Sequence, residues 1–273
     1  MSTTPFVLFR TSTLSETSEL AAMQRYLSTT DDMDAIPSGS VIFPRFRSIP
    51  FGEELAASAV ANGSRLVNTW VQYTYIASLL NWVDDLSGIT PAAYQVSEIG
   101  NLPEGEYFVK GETNSKKDDW NTSAFAANLD AIDGIIGNLQ GSSTIKEQEI
   151  VIRPFVRYRQ LGVQPTGQPI FNEVRVFVLD GQVMASGFYW SLQRSRFSEE
   201  ATKPLIPENF DATLNEAIRR IGDKASFVVI DLAEHPDGRW DVIELNDANM
   251  SGLTGVDADT LWRNVARHYS ENS

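Results

Sequence analysis

The side chains best suited to chemistry sit in two apolar runs, Phe227-Val-Val-Ile-Asp231-Leu-Ala233 and Val242-Ile-Glu244-Leu-Asn246-Asp247. Side chains alternate along a strand, so Glu244 and Asn246, two residues apart, share a face. Pro236-Asp237-Gly238 between the runs is a hairpin signal, and a hairpin brings Asp231 across from them. Two carboxylates and an amide oxygen converging there suit octahedral Mg²⁺, with positions left for substrate phosphates and water. The alternative is that the three solvate an exposed hairpin face, which suits a lone Asp better than a trio embedded in apolar strands. Lys110 ends the run Tyr107-Phe-Val-Lys110 beside the small polar loop Gly111–Lys117. An ammonium there either neutralises phosphate or is simply solvated. Arg153, in Ile150-Val-Ile-Arg153-Pro-Phe-Val156, and Arg175, in Glu173-Val-Arg175-Val-Phe-Val178, each lie among apolar neighbours. A buried guanidinium needs an anion. That anion is either a structural carboxylate such as Glu173 or Glu149, or a phosphate or substrate carboxylate held in the fork.

The elements that must carry these residues can be read from periodicity and breakers. Pro5–Arg10, Val41–Phe43 and Arg65–Asn68 read as short buried strands, with helices over Ser15–Leu27, Phe51–Ala61 and Trp70–Trp82 between and after them. Ser28–Gly39 reads as a polar loop. The alternation predicts a small doubly wound α/β lobe ending near Thr90. Beyond it the pattern becomes α+β: a strand at Tyr107–Lys110, a helix over Ala124–Leu139, a strand at Glu149–Val156, and a hairpin through Asp180-Gly181. A helix at Thr213–Ile221, the Phe227–Leu245 hairpin and a last helix at Asp257–Tyr269 complete the chain. Trp70, Tyr73, Tyr75 and Trp82 recur at helical spacing, as core or interface residues do. Gly187-Phe-Tyr189-Trp190 fits either the lining of an acceptor pocket or an amphipathic strand.

Composition removes several classes of function. The 273 residues contain no cysteine and two histidines, His235 and His268, which excludes thiolate catalysis and cysteine-based metal centres. A net charge of −14 is unsuited to coating extended nucleic acid. No run is long and apolar enough to span a membrane, and the first residues carry no signal-peptide pattern, so a cytoplasmic protein is expected. Neither Gly-x-x-x-x-Gly-Lys-Ser/Thr nor Gly-x-Gly-x-x-Gly is present.

Taken in order, Lys110, the strand at 149–156, Glu173-Val-Arg175, Asp231 and Glu244-Leu-Asn246 resemble the ATP-grasp fold, whose signature is the closing strand pair bearing Asp and then Glu-x-Asn. Gly63–Asn68 and Leu86–Pro91 are similar to the lobe that precedes that fold. The segment Phe108–Lys117, with Trp120-Asn121 and Ala124–Ala126, resembles the clade of small phage and bacterial ATP-grasp proteins named for two arginines and a lysine. The named residues would here be Arg153, Arg175 and Lys110. The resemblance implies an N-terminal α/β lobe over 1–92 and an ATP-grasp domain over 93–273, in two subdomains with a hinge near 149–156. It implies ATP and Mg²⁺ as cofactors, with Asp231, Glu244 and Asn246 as metal ligands and Lys110 on the ATP phosphates. Pro154, Phe155 and Val156 would form the adenine hinge, with Glu173 in the same nucleotide-binding set. Arg175 would stabilise phosphate charge during transfer, and Arg153 would face the nucleotide or the acceptor. The glycine-rich flap of many such ligases is replaced by Glu112–Lys117, where Lys116 or Lys117 would stand in for its amides.

The activity implied is an ATP-dependent carboxylate–amine ligation through an acylphosphate, on a small-molecule, peptide or protein acceptor. Phosphoryl or nucleotidyl transfer to another acceptor, RNA included, and a non-catalytic ATP-binding module are the other readings of the same residues.

Overall fold

The first sheet is built on two central strands that are apolar on both faces. β1 (Pro5–Phe9) and β3 (Val41–Arg45) pair in parallel, with β2 (Ser28–Thr30) outside β1 and β4 (Arg65–Leu66) outside β3. The computed structural model describes residues 4–10, 17–46, 51–116, 119–191 and 210–271. An all-parallel sheet must be covered on both sides. Helix α1 (Thr17–Tyr26) packs through Ala22 and Met23 on the Val7, Val41 and Phe43 face, and α2 (Gly52–Ala61) lays Ala59 against Leu8 and Ile42. This is the doubly wound lobe expected. β2 falls inside the stretch read as a loop, because three polar residues at a sheet edge give no apolar signal.

The helix expected over Trp70–Trp82 is two helices, α3 (Trp70–Ala77) and α4 (Leu79–Trp82). Ser78 between them is extended, at φ −102° and ψ 122°. Its hydroxyl donates to the Glu112 carboxylate, and the Leu79 N–H donates to the Glu112 carbonyl at 3.2 Å. A tertiary contact thus interrupts a helical pattern that is continuous in sequence.

Two four-stranded antiparallel sheets follow, with a two-stranded one between them in the chain. The second is ordered β5 (Tyr94–Gln95), β8 (Ile150–Pro154), β6 (Tyr107–Gly111), β7 (Phe125–Ala126). After the short α5 (Trp120–Ser123), α6 (Ile132–Gln140) covers this sheet with Ile132, Ile135, Ile136 and Leu139. The helix expected from Ala124 begins only at Ile132, because Phe125 and Ala126 pair with β6 and the Asn128 side chain caps a separate turn. A hairpin, β9 (Gln160–Val163) and β10 (Pro169–Phe171), was not apparent from the sequence pattern.

The third sheet is β12 (Gln182–Phe188), β11 (Glu173–Leu179), β13 (Phe227–Glu234), β14 (Trp240–Asp247). Asp180 and Gly181, at φ 47° and 75°, make the β11–β12 turn with both central residues left-handed, as a two-residue hairpin requires. One face of this sheet packs on α3, α4 and α7 (Asp211–Ile221). The other joins the core of the first sheet together with α8 (Ala258–Glu271). No helix among the described residues is long and apolar enough to cross a membrane.

Candidate functional site

Register across the third sheet lines up the charged residues. Arg175 on β11 is paired with Asp231 on β13, and Asp231 with Glu244 on β14. Asn246, two residues on, falls on the same face as Glu244. Arg175 grips Asp231 bidentately, Nε to Oδ1 at 2.9 Å and Nη2 to Oδ2 at 2.7 Å. Asn246 Nδ2 donates to Asp231 Oδ2 at 3.0 Å and to Glu244 Oε2 at 3.4 Å. Lys110 reaches across from the second sheet, with Nζ 2.5 Å from Glu244 Oε1. Lys110 is 3% exposed and Asp231 1%, so these charges persist only because each is paired. Burial opposes the Arg175 charge, but Asp231 beside it outweighs that and holds the guanidinium above its ordinary pKa.

The anion beside Arg175 is therefore Asp231, not the Glu173 or Glu149 that its strand context suggested. Neighbours along a strand can be read from sequence, but only cross-strand register decides which carboxylate meets the fork. Arg153 is buried among oxygens of uncharged groups: its Nη1 donates to the Ile243 carbonyl at 2.8 Å, and Nη2 to Thr90 Oγ1 at 2.8 Å and the Pro91 carbonyl at 2.6 Å. It ties β8 to β14 and to the strap at 90–92, and burial lowers its pKa.

Among the described residues no three His, Cys, Asp or Glu side chains gather into a metal cage. The donor set at hand is Asp231, Glu244 and the Asn246 amide, each within one hydrogen bond of the next. A half-turn of that amide presents its oxygen where the nitrogen stands. Hard oxygens on adjacent strands, balanced by Lys110 and Arg175, are the donor type that suits Mg²⁺.

Two clefts meet at this cluster. The first, of about 720 Å³, is walled by Phe108, Trp120, Phe155 and Phe171, with Glu173 and Arg153 at its base. Trp120 stacks between Phe108 and Phe125 at centroid distances of 5.7 and 5.9 Å, so flat apolar surface is already organised there. At the hinge, the Phe155 N–H is committed to the Glu106 carbonyl at 2.8 Å and the Val156 carbonyl accepts from the Tyr158 N–H at 3.1 Å. The Phe155 carbonyl and Val156 N–H have no backbone partner among the described residues. Ser115 lines this cleft and Lys116 follows it half-buried, while Lys117 lies outside the described residues.

The second cleft, of about 920 Å³, opens on the other side of the same ion pair, since Lys110 and Glu244 line both. Its walls are Tyr73 of α3, Glu112 and Asn114 after β6, Arg175, and Met250 and Ser251 beyond β14. Arg175 Nη1 donates to the Gly252 carbonyl at 2.8 Å, and its guanidinium lies 4.8 Å over the Tyr189 ring. Tyr189, read as acceptor lining or strand face, thus backs the arginine. Burial pushes the Asp247 carboxyl up to about 6, against hydrogen bonds from Asn249. Glu112, Asp247, Met250 and Ser251 were not singled out in the sequence. Their only signal was proximity to Lys110 and to Glu-x-Asn.

A family profile matches residues 98–265; it describes an ATP-grasp domain, family 3 of the clade named for two arginines and a lysine. Among curated proteins none matches the sequence. Solved structures share the fold at low identity. D-cycloserine synthetase DcsG is 11% identical with a TM-score of 0.64, over 97% of this chain and 99% of that one. The D-alanine–D-alanine ligase of Bacillus anthracis, complexed with ATP, is 12% identical with a TM-score of 0.60, over 100% of both chains. ATP-grasp ligase PsnB, complexed with a phosphomimetic variant of its minimal precursor, Mg and ADP, is 11% identical with a TM-score of 0.58, over 98% and 99%.

Proposed function

The chain belongs to family 3 of the two-arginine-and-lysine clade of ATP-grasp domains, and from that premise we propose that it is an ADP-forming carboxylate–amine ligase acting on an amino acid or peptide. The observation that supports this reading is that two clefts meet at Lys110 and Glu244, so a nucleotide in one and an acceptor in the other would flank one cationic and carboxylate cluster. The adenine would occupy the cleft lined by Trp120, Phe155 and Phe171, where the Phe155 carbonyl and the Val156 N–H would read its polar edge. Glu173 and Arg153 also line that cleft, and Lys116, next to Ser115 of its lining, would stand in for the glycine-rich flap of other ligases.

Asp231, Glu244 and Asn246 would hold Mg²⁺, which would supply positive charge to the terminal phosphates. The substrate carboxylate, in the second cleft, attacks the γ-phosphorus. The bond from phosphorus to the bridging oxygen breaks, and ADP departs. An amine then attacks the acyl carbon, the carbon–oxygen bond to phosphate breaks, and the amine gives up a proton. Lys110 supplies positive charge beside the transferred group, while Arg175 fixes Asp231 and donates from Nη1 to the carbonyl of Gly252. No covalent enzyme intermediate is required, in keeping with a chain that has no cysteine. Catalysis is positioning and charge neutralisation.

The names of DcsG, the D-alanine–D-alanine ligase and PsnB with its precursor peptide support an acceptor of amino-acid or peptide type. The test is product analysis with a panel of amino acids and peptides plus Mg²⁺·ATP. ADP and phosphate are expected, and added hydroxylamine should divert the acylphosphate to a hydroxamate. AMP and pyrophosphate would replace the ligase reading with nucleotidyl transfer, and binding without turnover would make the chain an ATP-binding module.

A further inference from the structure

Arg45 ends β3 in the first lobe and lines neither cleft, yet its guanidinium is given over to the loop that follows Asn246. Nη1 donates to the carbonyls of Ala248 and Asn249 at 2.9 and 2.6 Å, and Nη2 to that of Ser251 at 2.7 Å. The same fork meets Glu19 at 2.8 and 3.1 Å, and Trp262 Nε1 donates to Glu19 Oε1 at 3.2 Å. Arg45 is 6% and Glu19 2% exposed. Three carbonyls from four consecutive residues turned to one buried cation are neither a helix nor a strand arrangement. The cation dictates the course of the backbone there, because those carbonyls would otherwise be buried without donors.

Other contacts fix the rest of the loop. Asp247 Oδ1 accepts from the Asn249 N–H at 3.2 Å and its side-chain amide at 2.9 Å, and the Asp247 carbonyl accepts from the Met250 and Ser251 N–H groups at 3.1 and 3.0 Å. The loop begins two residues after Asn246 and carries Met250 and Ser251 into the second cleft.

We propose that Arg45 is a positioning residue for the transfer centre: by holding the carbonyls of Ala248, Asn249 and Ser251 it sets where Asn246 and the Met250–Ser251 side of the second cleft stand. The proposal rests on the ligase reading for its consequence, though not for its geometry. Two measurements on the full chain separate the two. In Arg45→Lys the ammonium keeps the charge but loses the planar fork. Hydrogen exchange at the amides of 249–251 should accelerate at least about tenfold, as local rather than global opening. The Mg²⁺-dependent gain in affinity for a non-hydrolysable ATP analogue should fall about tenfold, while the Mg²⁺-free affinity stays put. Leu8→Ala, in the small core on the opposite face of the same sheet, is the control: it destabilises the lobe and should alter neither readout. Should Arg45→Lys fail to fold, Glu19→Gln, which loosens the anchor of Arg45, should give the same local pattern. Unchanged loop exchange and an unchanged Mg²⁺ gain in a folded variant would overturn the proposal. A wild type with no Mg²⁺ gain at all would overturn the ligase reading instead, and loop exchange alone would then decide the role of Arg45.

Discussion

Glu244 meets both clefts, the Lys110 ammonium and the Asn246 amide, and its removal is the sharpest test at the scale of single residues. In the wild type Mg²⁺·ATP should raise the melting temperature, by roughly 2.7 kcal/mol of added stability at a hundredfold excess over Kd. Glu244→Ala should lose the Mg²⁺-dependent part, and equal stabilisation of the two proteins would sink the metal assignment. Lys110→Met should retain the fold and lose turnover by about 10²–10³-fold, the cost of one missing charge contact in the transition state. Arg175→Lys should fail in turnover as well, because an ammonium cannot hold Asp231 bidentately and reach Gly252 together. A fully active Arg175→Lys would reduce that arginine to a structural part. The spacing of Glu244 and Asn246 and the hairpin before them were enough to bring these residues and Asp231 together from sequence alone. The partners of the arginines were not legible, since strand register, not composition, put Asp231 beside Arg175 and carbonyl oxygens around Arg153.

At the scale of elements, apolar runs as short as Val41–Phe43 were legible as strands, whereas a polar edge strand and elements interrupted by tertiary contacts were not. β2 is three polar residues at an edge, and the break at Ser78 depends on Glu112, thirty-four positions away. One inter-element link has a pH signature. Asp85, just after α4, accepts from Tyr75 at 2.8 Å and lies 2.6 Å from the Lys224 ammonium beyond α7. Lys224 chiefly, and Tyr75 with it, holds the Asp85 carboxyl below its ordinary range. A depressed carboxyl contributes stability above the unfolded-state pKa and loses it as pH falls through the folded-state value. Asp85→Asn should therefore cost no more than roughly 1 kcal/mol at neutral pH. That difference should vanish in acid, as thermal unfolding at the two pH values would show; a difference that persists in acid would rule the ion pair out as its source. A second element-scale test lies where β12 passes the loop after β14. A Cβ on Gly187 would run into the backbone carbonyl of Gly255. Gly187→Ala should cost roughly 1–3 kcal/mol, read as a lower denaturant midpoint. A neutral outcome would mean that the two backbones can part freely.

Across the whole molecule, the first and third sheets share one core, in which Phe43 of β3 meets Phe227 of β13 at 5.3 Å and Trp262 of α8 at 6.3 Å. Helices α3 and α4, which the sequence places in the first lobe, bury Ile76, Leu79 and Trp82 against the third sheet. Those two sheets should therefore unfold in a single calorimetric transition, and two resolved transitions assigned to them would contradict it. The division into an α/β lobe and a later α+β part was visible in the changing periodicity, whereas the sharing of a core was not, because nothing in a linear pattern says which apolar faces meet. The clamp on the loop at 248–252 bears on how such an enzyme could change its substrate. With Arg45 holding the carbonyls of Ala248, Asn249 and Ser251 and Arg175 that of Gly252, an insertion or deletion in that loop would strip buried donors of their acceptors. Evolution or a designer seeking a new acceptor would find little latitude there. More latitude lies at Thr113 and Asn114, half-buried residues of the same cleft lining that hold none of those carbonyls.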